Sequence, residues 1–275
     1  MSFMGAKTAT LLRALIMDGE VSLAVLDTSA LVAEAAKRHA LAGTPLTILG
    51  DTLTAAGYLC GWLKNPKSSL SVSMSGEGGS VCVSGDGELA IRGFIIGCEN
   101  GLEEGRLTVV RDDGEGLPFS GTVALVSQST EENFARYFEE SEQLPTGVAL
   151  YTECTEEGVR AGGVFLQPLP NASQGTLKRL REETNACREL LYNGQTEKIF
   201  SRYGVSAIKT LYPAFKCRCS LKKAERAVIS MGKSEAIEVC RQEGALRVHC
   251  DYCNTDYAFD EKQILKLFSE DSHER

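Results

Sequence analysis

Cys217-Arg218-Cys219 is followed, thirty residues later, by His249-Cys250-Asp251-Tyr252-Cys253. One CxC pair and one distant CxxC pair are typical of a tetrahedral thiolate site for zinc, because each pair supplies two sulfurs from one tight turn. Four Zn–S bonds of roughly 2.3 Å would close the site and leave no position for a substrate water. The pattern therefore predicts one structural or regulatory zinc ion held by Cys217, Cys219, Cys250 and Cys253. The alternative is four unrelated buried thiols, since free cysteine behaves as a small hydrophobe.

The length of 275 residues and the hydrophobic content of 43% predict two domains, each with a core. The net charge is −8, and residues 213–275 carry equal numbers of basic and acidic side chains. No part of the chain has the basic excess that favours phosphate binding, so we expect no nucleic-acid partner. No apolar run approaches the roughly 20 residues that a membrane span requires, so we expect no membrane partner.

Ten cysteines without a secretory signal pattern indicate a reducing compartment, where paired cysteines more often bind metal or carry redox chemistry than form structural disulfides. We therefore expect a cytoplasmic protein. An alternative interpretation takes Lys7 and Arg13, with no acidic residue before Asp18, as a short organellar address.

The predicted fold class is α+β, with a mixed-sheet N-terminal domain with packed helices over residues 1–170. Strands at 11–17 and 21–26 flank Asp18-Gly19, which suits a two-residue hairpin turn. Helical spacing follows Ser29, and a second helix is predicted over 52–63. A strand is predicted over 69–74, where alternation places Leu70, Val72 and Met74 on one face, and further strands follow. We interpret Gly76-Glu77-Gly78-Gly79 as a hairpin turn because no phosphate-binding helix pattern comes after it.

From Thr176 the periodicity becomes helical, with a moderate apolar stripe among many charges. We predict a helical linker over residues 171–212, which depends on docking because short isolated helices are marginal in water. Residues 213–275 are predicted to form a small C-terminal four-cysteine zinc domain, with short helices over 222–229 and 234–240 and short strands over 246–249 and 257–259. It has few large apolar residues, so removing the metal should unfold it.

Several motifs together resemble the redox-regulated heat-shock protein 33 chaperone family. They are the four-cysteine spacing, Met231-Gly232-Lys233-Ser234-Glu235 between the pairs, Ser141-Glu142-Gln143-Leu144-Pro145-Thr146 and Ala161-Gly162-Gly163. The likeness runs from about Leu12 to Phe268. The sequence departs from the usual family pattern at Gly50-Asp51, where a Gly-Arg pair is common, in a shortened region before Pro213, and in six additional cysteines.

The resemblance implies an ATP-independent holdase, not an enzyme, that is inactive when reduced and zinc-bound. Peroxide combined with unfolding stress, or hypochlorous acid, would activate it. The resemblance implies that the four cysteines form the disulfides Cys217–Cys219 and Cys250–Cys253, and that the linker then loses structure. It also implies unfolded or misfolded client proteins as partners and a homodimer on activation.

Two alternatives come from other classes of protein. A zinc ribbon could recruit nucleic acid or another protein, although the even charge of residues 213–275 disfavours nucleic acid. A dithiol oxidoreductase could use Cys250 and Cys253, but that chemistry needs a thioredoxin-like context, which the sequence does not indicate. His39, His249 and His273 are scattered, and we interpret His249 as an outer-shell or spectator group.

Overall fold

Residues 8–270 are described by a computed structural model. The chain divides after Lys216 into two compact units. The elements of the first unit are β1 (Thr10–Ile16), β2 (Val21–Asp27), α1 (Ser29–His39), α2 (Gly43–Cys60), β3 (Ser69–Glu77), β4 (Gly79–Asp86), β5 (Ala90–Gly97), β6 (Glu103–Asp112), β7 (Phe119–Ala124), α3 (Thr130–Glu140), β8 (Gly147–Thr155), β9 (Gly158–Pro168), α4 (Gln174–Tyr192), α5 (Thr196–Arg202), β10 (Lys209–Leu211) and β11 (Ala214–Phe215).

These strands form two sheets in the described residues. The first has the order β10-β1-β2-β9-β8 and is antiparallel throughout. The second has the order β11-β5-β4-β3-β6-β7 and is antiparallel except for the parallel pair β11 and β5. The expected α+β class with a mixed sheet is confirmed. Hairpin turns also account for the glycines at 76–79, because β3 and β4 join there and Gly78 has a φ of 95°.

Helix α2 contacts strands of both sheets and is buried along most of its length. Its residues Leu49 and Leu53 are fully buried, and the alternation of β3 turns Leu70, Val72 and Met74 into the same core. A helix that is apolar on nearly all sides is stable only when it is enclosed. The main core of the first unit is therefore built around α2.

The other face of the first sheet is covered by α4 and α5. Every residue of β2 is buried, which explains its almost continuous apolar run, since a strand covered on both faces does not alternate. Val21, Leu23 and Val25 form a second core cluster with Leu180 and Leu191 of α4. The helices that the sequence places in a linker are thus packed on the sheet in this state.

A short segment just before the first cysteine pair adds a strand to each sheet. β10 extends the first sheet beside β1, and β11 extends the second beside β5. Main-chain bonds flank these strands, from Ile208 N to Arg13 O at 2.7 Å and from Lys216 N to Ile91 O at 2.8 Å. Neither strand is expected from the sequence, because two or three residues around Pro213 carry no readable period.

The C-terminal unit consists of α6 (Leu221–Met231), α7 (Lys233–Glu243), β12 (Leu246–Cys250), β13 (Thr255–Phe259) and α8 (Glu261–Glu270). β12 and β13 form an antiparallel hairpin. Its core is small and includes Val228, Leu246, Phe259 and Ile264. The two helices on either side of Gly232 and the two strands were expected, whereas α8 was not.

Two local predictions are wrong. Helix α2 begins at Gly43, not near Thr52, because Pro45 lies in its first turn, where a missing N–H is tolerated. The first hairpin turn has four residues, since Ile16 pairs with Val21, and Met17, Asp18 and Gly19 all have positive φ.

Within residues 8–270, none of the helices has the length and apolar character needed to cross a bilayer. The three-part division into 1–170, 171–212 and 213–275 stays a prediction. The organellar address proposed for the N-terminus involves Lys7, which lies outside the described residues.

Candidate metal centre

The CxC pair and the CxxC pair come from two different kinds of local structure. Cys217 and Cys219 lie in the loop before α6, whose N-cap Ser220 accepts a hydrogen bond from Lys223 N. Cys250 ends β12, and Cys253 lies in the turn to β13, where its N–H donates to Cys250 O at 3.2 Å. Tight turns of this kind aim two side chains in one direction.

The four sulfurs converge. All four Sγ atoms lie within 4.8 Å of one another. The Sγ atoms of Cys217 and Cys250 are 3.7 Å apart, and those of Cys219 and Cys253 are 3.3 Å apart. Four sulfurs at roughly 2.3 Å from a tetrahedral ion are about 3.8 Å from one another. The donor set and its spacing therefore fit a zinc ion, and the four cysteines form a potential metal-binding site.

Hydrogen bonds from neighbouring groups favour the thiolate form at one position. Tyr257 Oη donates to Cys219 Sγ at 3.2 Å. Burial raises the pKa of Cys219, but the bonds from Tyr257 and the adjacent thiols outweigh burial and bring this pKa down to about 7. Burial raises the pKa of Cys217, and burial with the neighbouring sulfurs raises that of Cys250. Cys219 is therefore the most acidic of these three thiols.

Access to the sulfurs is unequal. Cys253 is buried, whereas Cys217, Cys219 and Cys250 are half-buried. A small oxidant can therefore reach part of the cluster without prior unfolding, and thiolates are the species that react with oxidants.

Other candidate ligands lie outside the cluster. His249 is not one of the clustered ligands, and its Nδ1 lies 2.8 Å from Asp256 Oδ1. His273 lies outside the described residues. Cys240 is buried in the small core with its Sγ against Phe259 O.

The CxxC pair lies in a hairpin turn and does not open a helix, which disfavours the dithiol oxidoreductase alternative.

The remaining cysteines differ from one another. Cys60, Cys82, Cys98 and Cys154 fall within apolar or strand patterns of the sequence, which predict packing roles for them. Cys60 and Cys98 are buried, and Cys82 is half-buried. Cys154 is exposed near the end of β8, so the packing interpretation is wrong there, because strand periodicity does not show which face is covered.

No sequence pattern indicates the side chains that hold α4 in place. Glu183 is buried and accepts hydrogen bonds from Arg179, Arg202 and Tyr203 at 2.8, 3.1 and 2.9 Å. Tyr203 Oη also lies 3.4 Å from the sulfur of Cys187. We call Glu183, Arg202 and Tyr203 the α4–α5 clasp. It joins α4 to α5 through the Glu183 carboxylate, which lies about twenty residues before its two partners in the sequence. A pairing over that distance leaves no local sequence pattern.

Comparison with known proteins gives consistent matches. The family model described as Hsp33 protein matches residues 9–260. The 33 kDa chaperonin of Bacillus cytotoxicus is 30% identical, covering 94% of this chain and 97% of the relative. The protein of the same name from Clostridium perfringens strain SM101 is 31% identical, covering 94% and 91%. The crystal structure of the 33 kDa chaperonin (heat shock protein 33 homolog) from Thermotoga maritima superposes with a TM-score of 0.85 at 26% identity, covering 97% of this chain and 99% of that one.

The two-sheet unit and the small four-cysteine unit define an α+β protein with a C-terminal thiolate cluster suited to metal. Within that class, the matches over nearly the whole length identify the family. The chain belongs to the Hsp33 family. Membership supports a chaperone function, and the curated relatives carry chaperonin names, which describe a non-enzymatic role.

Proposed function

We propose that this chain is a redox-regulated, ATP-independent holdase that binds unfolding proteins under oxidative stress in the cytoplasm. Its resting form is reduced, with one zinc ion held by Cys217, Cys219, Cys250 and Cys253. The observation that carries the proposal is the convergence of the four sulfurs within 4.8 Å. When bound, zinc keeps the sulfurs as thiolates and joins the CxC pair to the CxxC pair.

Oxidation converts the four thiolates into the disulfides Cys217–Cys219 and Cys250–Cys253. In each pair two thiolates lose two electrons to one peroxide molecule, an S–S bond forms as the O–O bond breaks, and the two oxygens take up two protons from solvent and leave as two water molecules. The sulfurs then no longer hold zinc, and neither disulfide links the two pairs. The small core around Val228 and Phe259 is left to support the C-terminal unit alone.

Loss of order can then spread toward the N-terminus. Between α4 and Cys217 the chain holds only α5 and the two short strands β10 and β11. Only a few main-chain hydrogen bonds therefore have to break before disorder that begins at the cysteines reaches helix α4. If α4 leaves, the apolar sheet surface at Leu23, Val25 and Leu166 becomes available to unfolded clients. Two activated chains could each bury part of this exposed apolar surface against the other. We therefore include a homodimer of the activated form in the proposal.

The test follows metal and client together. Reduced, zinc-loaded protein is treated with hydrogen peroxide at raised temperature, while a chromogenic chelator reports zinc and light scattering reports aggregation of a thermally unfolded model enzyme. We expect one zinc ion to be lost per chain as protection of the client appears. Cys250→Ser should lose zinc before oxidation, and the matched Cys154→Ser, which removes an exposed thiol, should behave as the wild type. Absence of zinc from the reduced protein, or client protection that is independent of oxidant, would overturn the proposal.

A further inference from the structure

Strand β8 is an edge of the first sheet in the described residues, because only β9 pairs with it. In an antiparallel pair, alternate residues direct their main-chain N–H and C=O groups away from the partner strand. On β8 these are the even-numbered residues, since groups of Val148, Leu150 and Thr152 are bonded by side chains from outside the sheet. An open edge of this kind can accept another strand.

In this state the edge is capped by side chains. Tyr192 Oη donates to Leu150 O at 3.1 Å, and Arg188 Nη2 donates to Val148 O at 3.3 Å. Glu131 Oε2 accepts from Leu150 N at 2.9 Å. Arg188 also forms an ion pair with Glu131. The edge is thus satisfied by two residues of α4, by one residue of α3 and, at Thr152 O, by Thr47 of α2.

Helices α3 and α4, which cap the edge at Val148 and Leu150, are anchored differently. Helix α3 inserts Phe134, Tyr137 and Phe138 into the main core. Helix α4 packs on the second cluster, and its Arg188 and Tyr192 lie four residues apart on one face. Departure of α4 therefore removes the donors from the carbonyls of Val148 and Leu150 while α3 stays in place.

We propose that β8 becomes the pairing edge for clients once α4 is released, accepting an extended segment of an unfolding polypeptide as an added strand. This inference rests on the proposed function, since it requires release of α4. The freed carbonyls of Val148 and Leu150 are two residues apart, about 7 Å along a strand, which is the spacing of outward N–H groups in an extended chain. Main-chain pairing needs no particular client sequence, which suits a protein that binds many unfolded chains.

Glu131 sets the order of events at this edge. After α4 leaves, the Glu131 carboxylate still accepts the hydrogen bond from Leu150 N, but its ion pair with Arg188 is lost. An incoming client carbonyl displaces this long side chain into water. The client N–H groups bind the freed carbonyls first, and the bond to Leu150 N follows.

The experiment measures amide hydrogen exchange by mass spectrometry on the full-length protein in three states: reduced, oxidised, and oxidised with a chemically unfolded model protein. We expect exchange in 147–155 to rise on oxidation, because departure of α4 uncovers the strand and removes the ion pair that holds Glu131 on Leu150 N, and to fall again when client carbonyls accept from the outward N–H groups. β7 provides an internal control, because it is the edge of the other sheet and has no α4 caps. Its segment 119–124 should not respond to the client.

A variant tests the edge directly. Cys154 is an exposed, even-numbered residue of β8, and proline there removes an outward N–H without breaking a bond to β9. We expect Cys154→Pro to weaken client binding by about fivefold, whereas Cys154→Ser leaves it unchanged. Exchange in the reduced state reports whether the variant is folded.

The outcomes separate this inference from the proposed function. If the oxidised protein protects the client but amide exchange in 147–155 does not slow when the client is added, β8 is not the pairing edge. The chaperone proposal is then unaffected. Slowing that occurs without client and grows with protein concentration shows that a second copy takes the edge, which also overturns β8 as the pairing edge for clients. Failure of the oxidised protein to protect any client overturns the proposed function itself.

Discussion

The Asp51 carboxylate on α2 and the Thr152 hydroxyl on β8 form a buried hydrogen bond of 2.7 Å that joins the central helix to the edge strand. The preceding residue makes this contact possible, because a Cβ at Gly50 would lie 2.5 Å from Thr152 Cγ2. Gly50 and Asp51 therefore act together, since the first gives the space and the second makes the bond to Thr152.

Burial of Asp51 predicts a pH-dependent stability. Burial raises the pKa of Asp51 to about 7, against 3.8 for an ordinary aspartate. Between these values the unfolded chain has lost the proton that the folded chain keeps, so stability falls as the pH rises from about 4 to about 7. We expect Asp51→Asn to stabilise the protein at pH 8 by on the order of 3 kcal/mol and to have little effect near pH 4.

Urea unfolding midpoints of the reduced, zinc-loaded protein at both pH values measure this effect. The exposed Asp113→Asn is the matched control and should change neither midpoint. An equal effect of Asp51→Asn at both pH values would contradict the raised pKa.

Tyr257 is predicted to restrain oxidation of the cluster. When zinc is bound, Cys219 is already a thiolate, so the hydroxyl that donates to its Sγ does not change its charge and only makes the sulfur a weaker nucleophile toward peroxide. We expect Tyr257→Phe to release zinc about threefold to tenfold faster at a fixed peroxide concentration. Zinc release is read with a chromogenic chelator, with Tyr212→Phe, an exposed tyrosine of the first unit, as the control. Equal rates for both variants would exclude a role for this bond.

The α4–α5 clasp is predicted to set how readily α4 is released. Glu183→Gln keeps the shape of the side chain but removes the charge that binds Arg179 and Arg202, at a cost of about 1 to 3 kcal/mol. We expect client protection to begin at a lower temperature under the same oxidant. Limited proteolysis within 171–212 should increase in parallel. The neighbouring Glu182 is exposed, so Glu182→Gln should change neither the onset temperature of client protection nor the rate of proteolysis. The same result for Glu183→Gln would show that the α4–α5 clasp does not control release of α4.

Burial predicts the order in which thiols of the reduced, zinc-loaded protein react. Cys154 is exposed, whereas Cys60 and Cys187 are buried and burial raises the pKa of both thiols. We expect iodoacetamide to modify Cys154 first and Cys60 and Cys187 last, as read by peptide mapping over time. Rapid modification of Cys187 would show that α4 is already released before oxidation.

Local chemistry made much of the fold predictable. The spacing of the CxC and CxxC pairs predicts that the four cysteines cluster. The alternation of Leu70, Val72 and Met74 predicts strand β3 and its buried face. Helix α4 also follows its apolar stripe to Asn193. Each of these signals is carried by residues within one element.

Features that depend on distant partners were not predictable. The caps that Arg188 and Tyr192 provide on β8 connect residues some forty positions apart, and the Tyr257 bond to Cys219 joins two ends of the C-terminal unit that are almost as far apart in sequence. The start of α2 was missed because Gly43 and Pro45 are typical of a loop, and only enclosure between the sheets overrides that preference.

The position of β10 and β11 has a consequence for reversibility. Each lies at the outer end of its sheet, β10 beyond β1 and β11 beyond β5. Detaching both withdraws no interior strand, and the remaining strand orders β1-β2-β9-β8 and β5-β4-β3-β6-β7 stay continuous. On return to the resting form, together with reduction of the disulfides and redocking of α4, these two short strands are added back to sheet edges that have stayed in place, and no interior strand has to pair again.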